Sequence, residues 1–404
     1  MKINAGVTNG IMKIYSLTIL LIVILSCRLS AQQQSLNEKK IVSLPSQAEQ
    51  VDHKIFIQLP KSYGHSKMRY PVIVIFDAHD PTLFDYTSAV VDRLMSTKDI
   101  PEAILVGVCQ KDRGKELGVE RSEITSMKFL QFIKDDLVVY LRSNYNIADY
   151  FTFIGHSLGG QFVSDAMMKY PEIFKSVISI SGALNYPANN QEYNFYKRKV
   201  LTQMEKYVKS KVSIGIPQKY YFSVGDDGMQ DSMFRLGALT ADSILTSSNP
   251  AFLKWHFDEF KGFNHMTTPL VSIPAGLCFI YQDWHFSDSL AMDVLSTQKT
   301  DPIDALNKQQ LKIKQSYGTD IALPDFLYDQ FANFYLDKGN LVKAKYIADQ
   351  IIISHPNDDA PFALMADILI KQGNKKGAIE NLKRAQSNSS IEKYKEKIAD
   401  LDKP

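Results

Sequence analysis

The period of the apolar positions changes along this chain, and those changes outline its elements. Lys54–Leu59 (KIFIQL) alternates apolar and polar residues, the pattern of a strand with one wet face. Tyr70–Ala78 (YPVIVIFDA) and Ala103–Cys109 (AILVGVC) are continuously apolar, as strands buried on both faces of a parallel sheet are. Phe84–Ser96 and Ser126–Tyr145 return to helical spacing. Further strands are expected at Tyr150–Ile154, Ser176–Ile180 (SVISI), Lys219–Val224 (KYYFSV) and Leu253–Phe260, with a closing helix at Pro269–Trp284. Strands alternating with helices predict an α/β fold: a mostly parallel sheet with helices on both faces.

In open sheets of this kind ligands bind beyond the carboxyl ends of the strands, so the residues just past each strand carry the chemical information. Tyr150–Tyr170 (YFTFIGHSLGGQFVSDAMMKY) reads as strand, turn and helix, and the turn is Gly155-His156-Ser157-Leu158-Gly159. G-x-S-x-G in that setting places a serine on a sharp, strained turn at a helix N-terminus. The positions two before and two after the serine are expected to lack side chains because strand and helix crowd there. Other polar strand ends are Asp77-His79 and Asp112-Arg113. The two later strands run into Gly225-Asp226-Asp227-Gly228 and into Lys261-Gly262-Phe263-Asn264-His265.

A serine hydroxyl is a poor nucleophile until a base takes its proton, and an imidazole titrates near neutral pH. Ser157 is therefore the candidate nucleophile and His265 the candidate base. A carboxylate must fix the tautomer of that base. Asp227 is preferred for this, with Asp226 as the alternative and Asp231 a more distant one. An oxyanion hole needs preorganised N–H donors. The amide of Leu158, next to the nucleophile, supplies one; His79 is chosen for the other, with Ala78 as alternative. His156 is read as structural or pocket-lining, and His256 as a surface or core residue. The order serine, acid, histidine is that of an α/β-hydrolase.

These residues resemble the esterase branch of the α/β-hydrolases, the esterase D and enterobactin-esterase-like group. The stretches that carry the resemblance are YPVIVIFDAHD, VGVCQKDRGKEL, FIGHSLGG, YYFSVGDDG and FNHMTTP, and they cover most of Val51–Trp284. That group often has Leu-Asp-Gly where this chain has Phe76-Asp77-Ala78, and an aromatic-rich segment where it has Ser181-Gly182-Ala183-Leu184. The resemblance implies an ester hydrolase acting through an acyl-enzyme on a small-molecule or glycan ester: a siderophore, an acylated polysaccharide or a small acyl ester. An acyltransferase with the same residues is the alternative reading. No cofactor and no metal are expected, since there is no C-x-x-C and no cluster of ligands.

Beyond Leu323 the sequence repeats with a period of 34 residues. Asp325 corresponds to Asp359, Ala332 to Ala366, Gly339-Asn340 to Gly373-Asn374, and Ala344 to Ala378. Tyr335, Ala348 and Pro356 also fall where a tetratricopeptide pattern places aromatic, small and proline residues. Asp325–Asp358 and Asp359–Asn388 thus resemble tetratricopeptide units, with a capping helix at Ile391–Leu401. A pair of such units is marginal alone and is expected to pack on the α/β domain or on a connecting helix at Asp301–Tyr317. The repeats offer a surface for a protein partner or for self-association; a non-catalytic interaction module built on them is the rival to an enzyme. The expected domains are residues 1–31 (signal peptide), 32–287 (α/β-hydrolase), 288–322 (connector) and 323–404 (small all-α repeat domain).

Composition adds little to this. Of 404 residues, 45% are hydrophobic and 22% charged, which is ordinary for a globular protein. A net charge of +2 gives no footprint for nucleic acid. Lys13, the apolar run Leu17–Leu25 and the polar exit after Ala31 describe a secretory signal, so an exported, periplasmic or secreted protein is expected. Lipidation at Cys27, in Ile24-Leu25-Ser26-Cys27, is the alternative. Cys109 and Cys278 are read as small buried thiols rather than a disulfide.

Overall fold

In the computed structural model of the protein, the described residues are 39–185, 198–210, 215–297 and 299–403. The expected signal segment and Cys27 lie outside them.

The strands are β1 Lys40–Ser46, β2 Val51–Gln58, β3 Tyr70–Ile75, β4 Ile104–Cys109, β5 Ile147–His156, β6 Ser176–Ile180, β7 Gln218–Asp227 and β8 Leu253–Asn264. They form a sheet of order β1-β2-β4-β3-β5-β6-β7-β8. β1 and β2 pair antiparallel, β2 pairs antiparallel with β4, and every later pairing is parallel. The buried runs β3, β4 and β6 fall where continuous apolar sequence predicts them. β1 is the strand that the sequence pattern did not bring forward. It is an edge strand with a mostly exposed face, so its apolar residues are too few to stand out.

The helices are α1 Pro81–Thr97, α2 Arg113–Glu116, α3 Glu123–Gln131, α4 Val138–Asn144, α5 Leu158–Lys169, α6 Lys199–Val208, α7 Gly228–Ser248, α8 Thr268–Tyr281, α9 Asp288–Leu295, α10 Pro302–Tyr317, α11 Asp325–Asp337, α12 Leu341–Ser354, α13 Ala360–Lys371, α14 Lys375–Asn388 and α15 Lys395–Asp402. The helix expected at Ser126–Tyr145 is present but passes through a π-helical turn, Phe132–Leu137, between α3 and α4. Apolar residues of α1 and α8 cover one face of the sheet, and those of α3 to α7 cover the other. Phe153 of β5 stacks on Phe174 at 4.0 Å between ring centres on that second face.

Residues 40–404 form one compact unit. The core under α1 and α8 continues without a break into α10–α14, through Trp284, Tyr317, Phe331, Ala344 and Phe362. α11 to α14 are two copies of one helix pair. Gly339 and Gly373 both take φ 74°, which only glycine adopts without strain. Asn340 and Asn374 then cap the second helix of each pair, accepting from the amides of Lys343 (3.2 Å) and Gly377 (2.9 Å).

Tyr317, at the end of α10, pins this helical part under the sheet. Its hydroxyl donates to the Ile280 carbonyl (3.1 Å) and accepts from the Trp284 amide (3.1 Å). The buried Lys219 ammonium of β7 lies 4.1 Å from its ring centre and bonds the Ile280 carbonyl (2.7 Å) and Asp283 (3.0 Å). Burial lowers the Lys219 ammonium to about 8, against the pull of Asp283. Tyr317→Ala is expected to lower unfolding free energy by about 3–5 kcal/mol. Tyr317→Phe should cost only about 1 kcal/mol, the hydrogen bonds alone. Urea denaturation at constant slope measures both; an Ala variant as stable as the parent would show that the ring is not the pin.

Candidate active site

Ser157 sits between β5 and α5 with φ 61° and ψ −117°, a conformation that side-chain-bearing residues rarely adopt. Neighbouring backbone holds it there. Its amide donates to the Ile180 carbonyl (2.9 Å), and its carbonyl accepts from Gln161 (3.1 Å) and Ala183 (3.1 Å). A Cβ on Gly155 would lie 2.1 Å from the Gly159 oxygen, so Gly155 is sterically required. Gly159 differs from expectation: a Cβ there meets nothing nearer than Asp77 Oδ2 at 3.6 Å. The second crowded position is Gly160, whose Cβ would stand 2.8 Å from the Gly182 Cα.

His265 follows β8 and is buried. Its Nδ1 lies 2.8 Å from Asp231 Oδ1. The carboxylate that meets His265 is thus Asp231, not Asp227 as preferred from sequence. Asp227 is exposed, caps α7 and accepts from the Gly228 amide (2.8 Å). Asp226 is also exposed and accepts from the Gly262 amide (2.6 Å). Both stand at the strand end, where the chain is still outside the core. Asp231 lies one helical turn later, on the stripe that buries Phe234, Ala238, Ala241 and Leu245. A carboxylate on the apolar stripe of a helix was the sequence signal for it.

Asp231 is fully buried, and its second oxygen is also saturated. Oδ2 accepts from the Gly225 amide (2.8 Å), Ser181 Oγ (3.0 Å) and Thr268 Oγ1 (3.0 Å). Burial raises the proton affinity of this carboxyl, but the bonds from His265, Thr268 and Gly225 outweigh it and hold the carboxyl below its ordinary range. Gly225 makes room for this arrangement. A Cβ there would lie 2.1 Å from the Phe263 oxygen and 2.5 Å from Asp231 Oδ2.

The loop after β3 contains a turn in which the Asp80 amide bonds the Asp77 carbonyl (3.0 Å). The Ala78 amide is engaged by the Val108 carbonyl (3.2 Å), so the alternative to His79 is already committed. Among the described residues the amides of His79 and Leu158 meet no backbone acceptor. Asp77, His79, Asp80, Leu83, Arg113, His156, Ser157, Gln230, His265 and Met266 line one open cleft. It brings together the predicted Ser157, His79 and His265, and it leaves out Asp227.

His156 packs against His265, with ring centres 4.4 Å apart, and its Nε2 donates to the His265 carbonyl (2.8 Å). Burial, then the neighbouring His265, push the His156 imidazole down to about 3, so it is neutral at ordinary pH and fixes the backbone of His265. His256 is half exposed on β8, beside Asp258 at 3.0 Å.

Among the described residues one cluster has metal-ligand character: Glu49, His53 and Glu116, whose ligand atoms lie within 4.8 Å of one another. It does not line the cleft. Its groups satisfy each other and the backbone: His53 Nε2 meets Glu49 at 2.8 Å, and Glu116 accepts from the amides of Lys111 (3.1 Å) and Asp112 (2.8 Å).

The His156 shift has a consequence for stability. The unfolded imidazole takes a proton near its ordinary 6.5, whereas the folded one resists until about 3. The unfolded state therefore binds more protons in that window, and stability falls as pH drops through it. His156→Asn removes this titration. Its stability, followed by urea midpoints at stepped pH, should decline less steeply below pH 6.5 than that of the parent. An unchanged slope would mean that His156 is not neutral in the fold.

The Esterase family model, whose description reads "Putative esterase", matches residues 46–235, a span that contains Ser157 and Asp231 but not His265. An uncharacterised protein of Bacillus subtilis, YjcH, is 29% identical over 150 residues, 36% of this chain and 60% of its own length. A second, YbbA, is 24% identical over 148 residues, 33% of this chain and 58% of its own. The chain thus spans about 60% of the length of the curated relatives it matches. In fold it is similar to an IroE-like serine hydrolase of Shewanella oneidensis, with TM-score 0.63 and 18% identity, covering 77% of this chain and 97% of that one. A protein of Capnocytophaga ochracea gives TM-score 0.61 at 18% identity, covering 90% of this chain and 99% of that one. The likeness to these structures shows a shared α/β fold, built on a mostly parallel sheet with helices on both faces.

Proposed function

We propose that the protein is a serine carboxylic-ester hydrolase with Ser157 as nucleophile, His265 as general base and Asp231 as the carboxylate that orients the base. The observation that carries this reading is the 2.8 Å contact between His265 Nδ1 and the buried Asp231, in a cleft shared with a strained serine. With Nδ1–H held by an ionised carboxylate, Nε2 is the free basic nitrogen. It takes the Ser157 proton as Oγ attacks the acyl carbon. The carbonyl π electrons move onto oxygen, where the amides of Leu158 and His79 donate to them. Collapse expels the alcohol, which leaves with the proton from His265. Water, deprotonated by His265, then attacks the acyl-enzyme; the bond from the acyl carbon to Ser157 Oγ breaks, the acid leaves, and His265 returns the proton to Ser157 Oγ. The esterase family match agrees with such chemistry. The substrate is a siderophore, an acylated polysaccharide or a small acyl ester.

A fluorophosphonate should label the parent at Ser157 and leave Ser157→Ala unlabelled. Ester hydrolysis by Ser157→Ala should fall to background; full activity in that variant would sink the reading. Asp231→Asn should lower kcat by roughly 10³–10⁴. Asp227→Asn should stay within about twofold, because Asp227 caps a helix in solvent. The reverse ranking of those variants would return the acid to Asp227. Rates on a siderophore, an acetylated polysaccharide and a short-chain acyl ester distinguish the substrate classes.

A further inference from the structure

We propose that Ser181 is a positioning residue of the hydrolase site: from the loop after β6 it ties Asp231 to the turn that carries Ser157. The inference rests on the ester-hydrolase reading and goes beyond it.

Ser181 has φ 42°, in the left-handed region, and is fully buried. That backbone is unfavourable for a residue with a side chain, so the surroundings have to enforce it. The Ser181 amide donates to the Ser223 carbonyl of β7 (2.8 Å). Its neighbours grip the nucleophile. The Ile180 carbonyl accepts from the Ser157 amide (2.9 Å), and the Ala183 amide donates to the Ser157 carbonyl (3.1 Å). The Ala183 carbonyl accepts in turn from Gln161 Nε2 of α5 (2.7 Å). Gly182 lets the loop pass so closely, since a Cβ there would lie 2.5 Å from Ser179 Oγ.

Fixed in this way, the loop reaches α7 near its start. Ser181 Oγ donates to Asp231 Oδ2 (3.0 Å), and Asn185 Nδ2 donates to the Met233 carbonyl (2.8 Å). Gly237 leaves room for Asn185, because a Cβ there would lie 2.9 Å from Asn185 Oδ1. These contacts hold the helix in the phase that turns Asp231 inward. The residues that bond both backbone groups of Ser157 thus flank the one that bonds the acid.

A hydroxyl carries one proton, and this separates the two hydroxyls at Asp231. Thr268 Oγ1 lies 3.0 Å from Asp231 Oδ2 and 2.8 Å from the Asn264 carbonyl, so two acceptors compete for its proton. Among the described residues Ser181 Oγ meets no acceptor except Asp231, so its proton is committed to the carboxylate. Without Ser181, Oδ2 keeps the Gly225 amide and a share of the Thr268 proton. A buried carboxylate left short of a donor moves, or takes a proton more readily.

The test compares Ser181→Ala, Ser181→Gly and Thr268→Val with the parent on a p-nitrophenyl ester across the pH range of activity. Ser181→Ala removes the hydroxyl and keeps a side chain on the left-handed backbone. Ser181→Gly removes the hydroxyl and the strain together, and carries the comparison if the alanine variant does not fold. Both should lower kcat by about 10-fold with KM within about threefold, because Asp231 acts on the base and not on substrate binding. The acid-side fall in kcat/KM should begin at a pH about 0.5 higher, since the Asp231–His265 pair takes its proton more readily. His265 is the titratable group bonded to Asp231, and His156 packs on His265. Thr268→Val should cost less in kcat than either Ser181 variant.

Ser181→Ala and Ser181→Gly both within about twofold of parental kcat overturn the proposal. So do Ser181 variants that lose kcat with an unmoved pH profile, the mark of a merely structural role. A Thr268→Val variant that costs more than Ser181→Ala gives the hold on the acid to Thr268 and overturns it too. A parent that neither hydrolyses esters nor takes the fluorophosphonate overturns the ester-hydrolase reading itself, and this proposal with it.

Discussion

The buried carboxylate of Asp231 is the constraint on which the rest of the site depends. An ionised carboxylate without water is very unfavourable unless its oxygens are filled. Here they are filled by His265, Thr268, Ser181 and the Gly225 amide. Those donors come from just past β6, from the end of β7 and from just past β8, so satisfying one charge fixes the relative placement of three strand ends. Charge-assisted bonds of this kind contribute about 1.5–3 kcal/mol each. The same bonds keep Asp231 ionised, which is what a partner for imidazole Nδ1–H needs to be.

Close backbone approach makes that arrangement fit. Gly225 leaves space where any side chain would displace both Asp231 and the Phe263 carbonyl. Gly155 and Gly160 do the same around Ser157, where β5, α5 and the loop after β6 meet. Ser157 itself carries the strain, and bonds to Ile180, Gln161 and Ala183 hold it. Strain at a reactive residue persists when its neighbours over-determine it, and each neighbour here is backbone of a buried element or a loop tied to one.

The opposite edge of the sheet has a different task. Lys219 is buried there against Asp283, the Ile280 carbonyl and the face of Tyr317. Through Tyr317, Trp284 and the Ile321–Leu323 segment, the C-terminal helices extend the sheet's own core. Chemistry at the carboxyl ends of the strands and docking at the other ends are therefore separate.

The period of apolar residues outlined the parallel strands, the G-x-S-x-G motif the turn at Ser157, and the 34-residue repeat the paired C-terminal helices, because each is a local pattern. β1 was not legible, since an exposed edge strand buries too little to leave a pattern. The acid was not legible by proximity either. Asp226 and Asp227 stand nearest the strand in sequence, yet helix α7 turns them to solvent and turns Asp231 inward. That the Ala78 amide is taken by the Val108 carbonyl was likewise visible only in three dimensions. The Ser181–Asp231 contact joins residues 50 apart in sequence. Sequence alone outlined most of the strands and helices and the candidate residues at their ends. Which side chains meet was decided only by the tertiary structure, because the direction a residue faces depends on helical phase and on what already fills the space beside it.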